Sequence, residues 1–159
     1  MALVPQIVDA VTIPVIAAGG IADGRGIAAA LMLGASGVQI GTAFLTTDEA
    51  LVPDVHRDAI AGASEEDTRM TRAFSGRPAR GIRNRFIDAM AGVEDELPDF
   101  PLLNTLTRPL RAASQGKGSG ELVSLWAGQA LTLNRSMPAA ALVETLVRET
   151  ADALSRRHA

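Results

Sequence analysis

An α/β fold built on parallel strands is what this sequence predicts, and three local patterns predict it. Two apolar runs, residues 14–18 and 37–40, carry almost no polar side chains, as parallel strands buried on both faces do. Each run stops at a glycine turn, Gly19-Gly20 after the first and Gly41-Thr42 after the second. Between them, residues 27–33 place apolar side chains at helical spacing. Strand, helix and parallel strand are joined by a right-handed crossover in nearly all proteins, so both turns are expected at the same end of the sheet.

Taken in order, the elements have local causes. Leu3, Ile7 and Val8 form the apolar stripe of a helix over residues 3–11, and Pro14 keeps it from running on. Asp23 stands where the crossover helix needs an N-cap. A second helix is expected over residues 48–61 and a strand over 67–74, with a turn at Ser75-Gly76-Arg77-Pro78. Residues 98–101 read as a linker, and 115–120, QGKGSG, as a flexible loop holding the only lysine. Helices are expected over 102–113, 121–132 and 138–156. The last opens at Pro138 and lines up Ala141, Leu142, Thr145, Leu146 and Leu154 on one face.

The paired turns suggest a ligand. Glycine lets main-chain N–H groups come close to phosphate oxygens, and a helix N-terminus aims unpaired donors and its positive dipole end at the same anion. Gly19, Gly20, Gly41 and Thr42 fit that arrangement, which a TIM barrel places at the loops after strands seven and eight. The plainer alternative is a tight turn at Gly19-Gly20 and a helix cap at Gly41-Thr42. Two such turns within one crossover favour the anion site. A competing motif, Gly24-Arg25-Gly26-Ile27-Ala28-Ala29, matches the G-x-G-x-x-A dinucleotide fingerprint, with Asp48 at about the distance of a ribose-binding acid. In that fold the first glycine follows its strand directly, whereas Gly24 comes after a complete Gly-Gly turn.

Composition narrows the function. The chain has 159 residues, a net charge of −3, 47% hydrophobic residues and only 3% aromatic ones. Its core must therefore be aliphatic and alanine-rich, and nothing draws it to nucleic acid or an anionic membrane. Without cysteine there is no disulfide, thiol nucleophile or Cys-based metal site. No apolar run approaches the roughly 20 residues of a membrane span, and no basic stretch precedes an apolar one at the N-terminus, so a cytoplasmic location is expected. His56, in an expected surface helix over 52–61, and His158, the penultimate residue, both read as solvated histidines. Arg72, Arg77, Arg80, Arg83 and Arg85 cluster around only Phe74 and Phe86. They read as guanidinium groups that fix an irregular loop by binding carboxylates and carbonyls. Trp126 and Gln129 would share a helix face, either as packing or as a cover over a ligand pocket.

The runs AAGGIADGRGIAAAL, GASGVQIGTAFLTT, TRAFSGRPARGIRNRF, LTRPLRAA and LWAGQA resemble, in that order, the C-terminal half of the FMN-dependent nitronate monooxygenases, also called 2-nitropropane dioxygenases. Flavin-dependent enoyl-ACP reductases share the same barrel end. The resemblance implies the last two strands of a TIM (β/α)8 barrel followed by a helical segment. The division expected from it is a partial FMN-binding barrel over 1–95 and a helical region over 96–159. It implies FMN as cofactor, alkyl nitronate and O2 as substrates, and a carbonyl compound and nitrite as products. Gly20, Gln39, Ile40, Gly41 and Thr42 match the family's FMN-binding positions, and Gly19 joins them on geometry. The family's catalytic histidine lies in an upstream Gly-Gly-His stretch. Neither histidine here follows glycines, so no catalytic residue is assigned. A typical TIM barrel needs about 250 residues. The alternative is thus a non-catalytic fragment with residual phosphate-binding turns, which would form a homo-oligomer or be completed by an N-terminal half.

Overall fold

The computed structural model describes residues 1–155. The chain divides into two compact units, Met1–Ala50 with Leu133–Ala159, and Leu51–Thr132.

The first unit holds the crossover. Helix α1 (Leu3–Ala10) closes where the Val11 N–H bonds the Ile7 carbonyl at 3.2 Å. Strand β1 (Ile16–Ala18), helix α2 (Gly24–Met32) and strand β2 (Gly37–Gln39) follow. Asp23 is extended (φ −140°) and its Oδ1 accepts from the Gly26 N–H at 2.9 Å, the expected N-cap. The strands pair in parallel, Ile16 opposite Gly37 and Ala18 opposite Gln39, and both are shorter than the apolar runs. Burial on both faces does not hold: Ala17 is 5% exposed and Ile16 54%. Successive strand residues point to opposite faces. The core of Ala17, Ile21, Ala30 and Ala35, flanked by Val4, Ile27, Val38 and Ile40, lies on one of them only. Helix α6 (Ala139–Ser155) packs against α2 and buries Leu142 and Leu146, on the expected face. Residue 156 of the expected helix, and His158, lie outside the described residues.

In the second unit, α3 (Asp54–Gly62) starts later than expected because Pro53, at ψ 143°, holds the chain extended before it. Strand β3 (Thr68–Thr71) ends three residues short of the expected strand. It forms an antiparallel hairpin with an unanticipated strand, β4 (Ala79–Ile82), through a turn with Gly76 at φ +83°. Asn84 caps α4 (Arg85–Met90) by accepting from the Ile87 N–H at 3.2 Å. Helix α5 (Leu102–Gly116) runs three residues past the expected end. The helix expected over 121–132 does not form. Its middle lies along β4 instead: the Ile82 N–H bonds the Leu125 carbonyl at 2.8 Å, and the Ala127 N–H bonds Arg80 at 3.2 Å. Only Gln129–Leu133 takes a 3-10 turn. Phe74 is fully buried, its ring 4.8 Å from Phe86 and edge-on to Trp126 at 5.7 Å.

Candidate functional site

Because Ala18 and Gln39 are register partners, the chain leaves both strands at the same level, and the two glycine turns stand side by side at one end of the sheet. Gly19 (φ +90°) and Gly20 (φ +68°) are left-handed, a conformation that costs other residues about 1–2 kcal/mol each. A Cβ built on Gly19, Gly20 or Gly41 would meet nothing within 4 Å, so the main chain is open to a ligand. After Gly41, Thr42–Thr46 forms a 3-10 turn in which the Phe44 N–H bonds the Gly41 carbonyl at 2.9 Å. The first N–H groups of such a turn point back toward its start, here Gly41. Gln39 is exposed. Ile40 turns its side chain into an apolar groove of about 540 Å³ shared with Phe44 of the turn and Leu146 of α6, leaving only its backbone for a ligand.

The N-terminus of α2, expected to share the same anion, is held by two carboxylates instead. Asp23 caps Gly26, and Glu149 Oε2 accepts from the Gly24 N–H at 3.1 Å. Arg25 pairs with Asp23, and Arg135 with Glu149 Oε1 at 2.8 Å. Burial pushes the Asp23 carboxyl up, but the Gly26 N–H and the Arg25 and Arg135 charges outweigh it and hold the group below its ordinary value. Glu149 is lowered likewise: burial opposes, while Gly24 and Arg135 prevail. An anion at the two turns therefore depends on their own main-chain donors.

This arrangement also accounts for the competing motif. A Cβ on Gly24 would lie 2.3 Å from the Glu149 Cβ and 2.4 Å from the α6 backbone, so Gly24 is glycine because α6 crosses there. Sequence reasoning missed Asn134, Arg135 and Glu149. Their partners lie far away in the chain (Asn134 bonds Thr42 across 92 positions), and no local pattern announces such a bond.

The second unit corrects two expectations. His56 is half-buried, not solvated; its Nε2 lies 3.1 Å from the Trp126 carbonyl. Burial pulls its pKa below the ordinary histidine value, with the carbonyl partly opposing. Trp126 and Gln129 share no helix face: Trp126 bridges Gly81, and Gln129 is exposed. The arginine cluster largely binds as expected. Arg72 donates to the Gly76 carbonyl at 3.2 Å and pairs with Asp99, Arg80 donates to Thr68 Oγ1 at 3.0 Å, and Arg83 pairs with Asp88 at 2.6 Å. Arg77 stacks over Phe100 at 4.7 Å. Among the described residues no helix is long and apolar enough to cross a membrane.

A family model described as nitronate monooxygenase matches residues 1–149. A probable nitronate monooxygenase of Staphylococcus saprophyticus is 47% identical over 98% of this chain and 44% of its own length. One from Staphylococcus aureus strain Newman is 49% identical over 94% of this chain and 42% of its own. Of solved structures, nitroalkane oxidase from Streptomyces ansochromogenes superimposes with a TM-score of 0.90 at 44% identity, covering 98% of this chain and 44% of that one. FabK from Thermotoga maritima gives 0.81 at 36%, covering 97% and 49%. The chain thus spans under half the length of the curated relatives it matches.

Proposed function

The chain belongs to the nitronate monooxygenase family, and from that premise we propose that it carries the phosphate-binding part of an FMN-dependent oxidoreductase. Gly19, Gly20, Gln39, Ile40, Gly41 and Thr42 would hold the cofactor's phosphate. The observation that carries this reading is the pair of turns in register with open space above Gly19, Gly20 and Gly41. A phosphate fits there because main-chain N–H groups can reach it without a side chain between. Bound FMN would supply the redox chemistry, oxidation of alkyl nitronates with O2 to a carbonyl compound and nitrite, and the protein would bind and orient it.

The chain's own contribution is binding. Neither histidine follows glycines, as the family's catalytic histidine would. Acid–base assistance is typically worth about 10²–10⁴-fold, so no nitronate turnover is expected from these 159 residues alone, even with excess FMN. The 36% identity with FabK supports a second reading, a flavin-dependent enoyl reductase using the same turns. The higher identity to the nitronate monooxygenases favours the first.

Equilibrium dialysis of the purified chain, in excess over flavin, tests the binding claim. FMN should be retained more tightly than riboflavin, which lacks the phosphate. Equal retention of the two would overturn the reading.

A further inference from the structure

We infer that Asn134 is a positioning residue for the second phosphate turn, an inference that rests on the proposed phosphate site. Asn134 Nδ2 donates to the Thr42 carbonyl at 2.8 Å. A trans peptide is planar, with its C=O and N–H pointing in opposite directions. Fixing the Thr42 carbonyl on Asn134 therefore fixes the Ala43 N–H toward the start of the 3-10 turn, where Gly41 lies.

The neighbours of Asn134 tie the same turn down further along. Thr46 Oγ1 donates to the Arg135 carbonyl at 3.1 Å, the Asp48 N–H to the Met137 carbonyl at 3.3 Å, and the Ala139 N–H to Glu49 Oε2 at 2.8 Å. Arg135 then reaches Glu149, which holds the Gly24 N–H beyond the first turn. Residues 134–139 thus form a strap that fixes the second turn directly and, through Arg135 and Glu149, the start of the helix after the first. Asn134 Oδ1 is buried with no hydrogen-bond partner. An orphaned buried acceptor is costly to keep, so the amide is oriented for the bond its nitrogen makes. Leucine, similar in size, would remove both the bond and the orphan.

The test compares FMN with riboflavin by equilibrium dialysis of the 159-residue chain and its variants. Asn134→Leu should weaken FMN retention by about three- to tenfold, the range of one lost hydrogen bond, and leave riboflavin within about twofold. Thr46→Val, which loosens the strap without touching Asn134, should show the same selectivity with a smaller loss, and it serves if Asn134→Leu does not fold. Equal weakening of both flavins would assign Asn134 a general structural role and overturn the inference, as would an unchanged FMN affinity. If the unaltered chain holds FMN no better than riboflavin, the phosphate reading itself fails, and the inference with it.

Discussion

Glu149 Oε2 lies 3.1 Å from the Gly24 N–H, and its backbone passes so close that no side chain could stand at position 24. One contact thus explains both why α2 begins with glycine and why its N-terminus is closed to other anions. Gly24→Ala would set a Cβ 2.4 Å from the α6 main chain, which no rotamer relieves. A loss of about 1–3 kcal/mol is expected, read as a lowered thermal midpoint by circular dichroism. Gly26→Ala, whose Cβ would meet the Ile21 side chain at 3.3 Å, should stay within about 0.5 kcal/mol of the parent. Equal effects would mean that α6 does not cross at Gly24.

The His56 bond sets a pH dependence. A carbonyl only accepts, so Nε2 carries the hydrogen of this bond. Burial lowers its folded pKa beneath the unfolded value, so the unfolded chain binds the proton more readily. The stability contributed by neutral His56 is fully present above about pH 6.5 and is lost as the pH falls through the folded value. Urea titrations from pH 7.5 to 5 should show this decline in the parent and a shallower one in His56→Asn. An identical slope in the two would place the titration elsewhere.

Much of the candidate site was legible because its signals are local. Two glycines ending an apolar run, and an aspartate three residues before the Gly26 N–H that it caps, are features of neighbouring residues, and the structure bears out the turns and the cap. The rest depends on partners distant in sequence. Residues 121–132 have a helical pattern, yet Leu125 and Ala127 bond β4, and β4 itself is masked by Arg80 and Gly81. Tertiary pairing overrode propensity there. Similarly, nothing near His56 reveals the carbonyl 70 positions away that buries it.

The open sheet edges bear on solution behaviour. Among the described residues β1 pairs only with β2, so each strand has one edge free, and Ile13 before β1 and Ile16, its first residue, are 70% and 54% exposed. Uncharged apolar edges left unpaired recruit other chains. The isolated polypeptide is expected to self-associate as its concentration rises, read by size-exclusion chromatography with light scattering. A sharp, concentration-independent monomer peak would show that these edges are inert.

The central claim, that the two glycine turns together hold a phosphate, is tested most directly by amide chemical shifts during an FMN titration of the 15N-labelled chain. FMN should move the Gly20, Gly41 and Thr42 amides, and riboflavin should leave them in place. Gly20→Val, which forces a branched side chain into φ +68°, should abolish the shifts at Gly41 and Thr42. Gly62→Val, at the end of α3, should not. Shifts centred on Gly24 and Gly26, or equal effects of the two valine variants, would contradict the account.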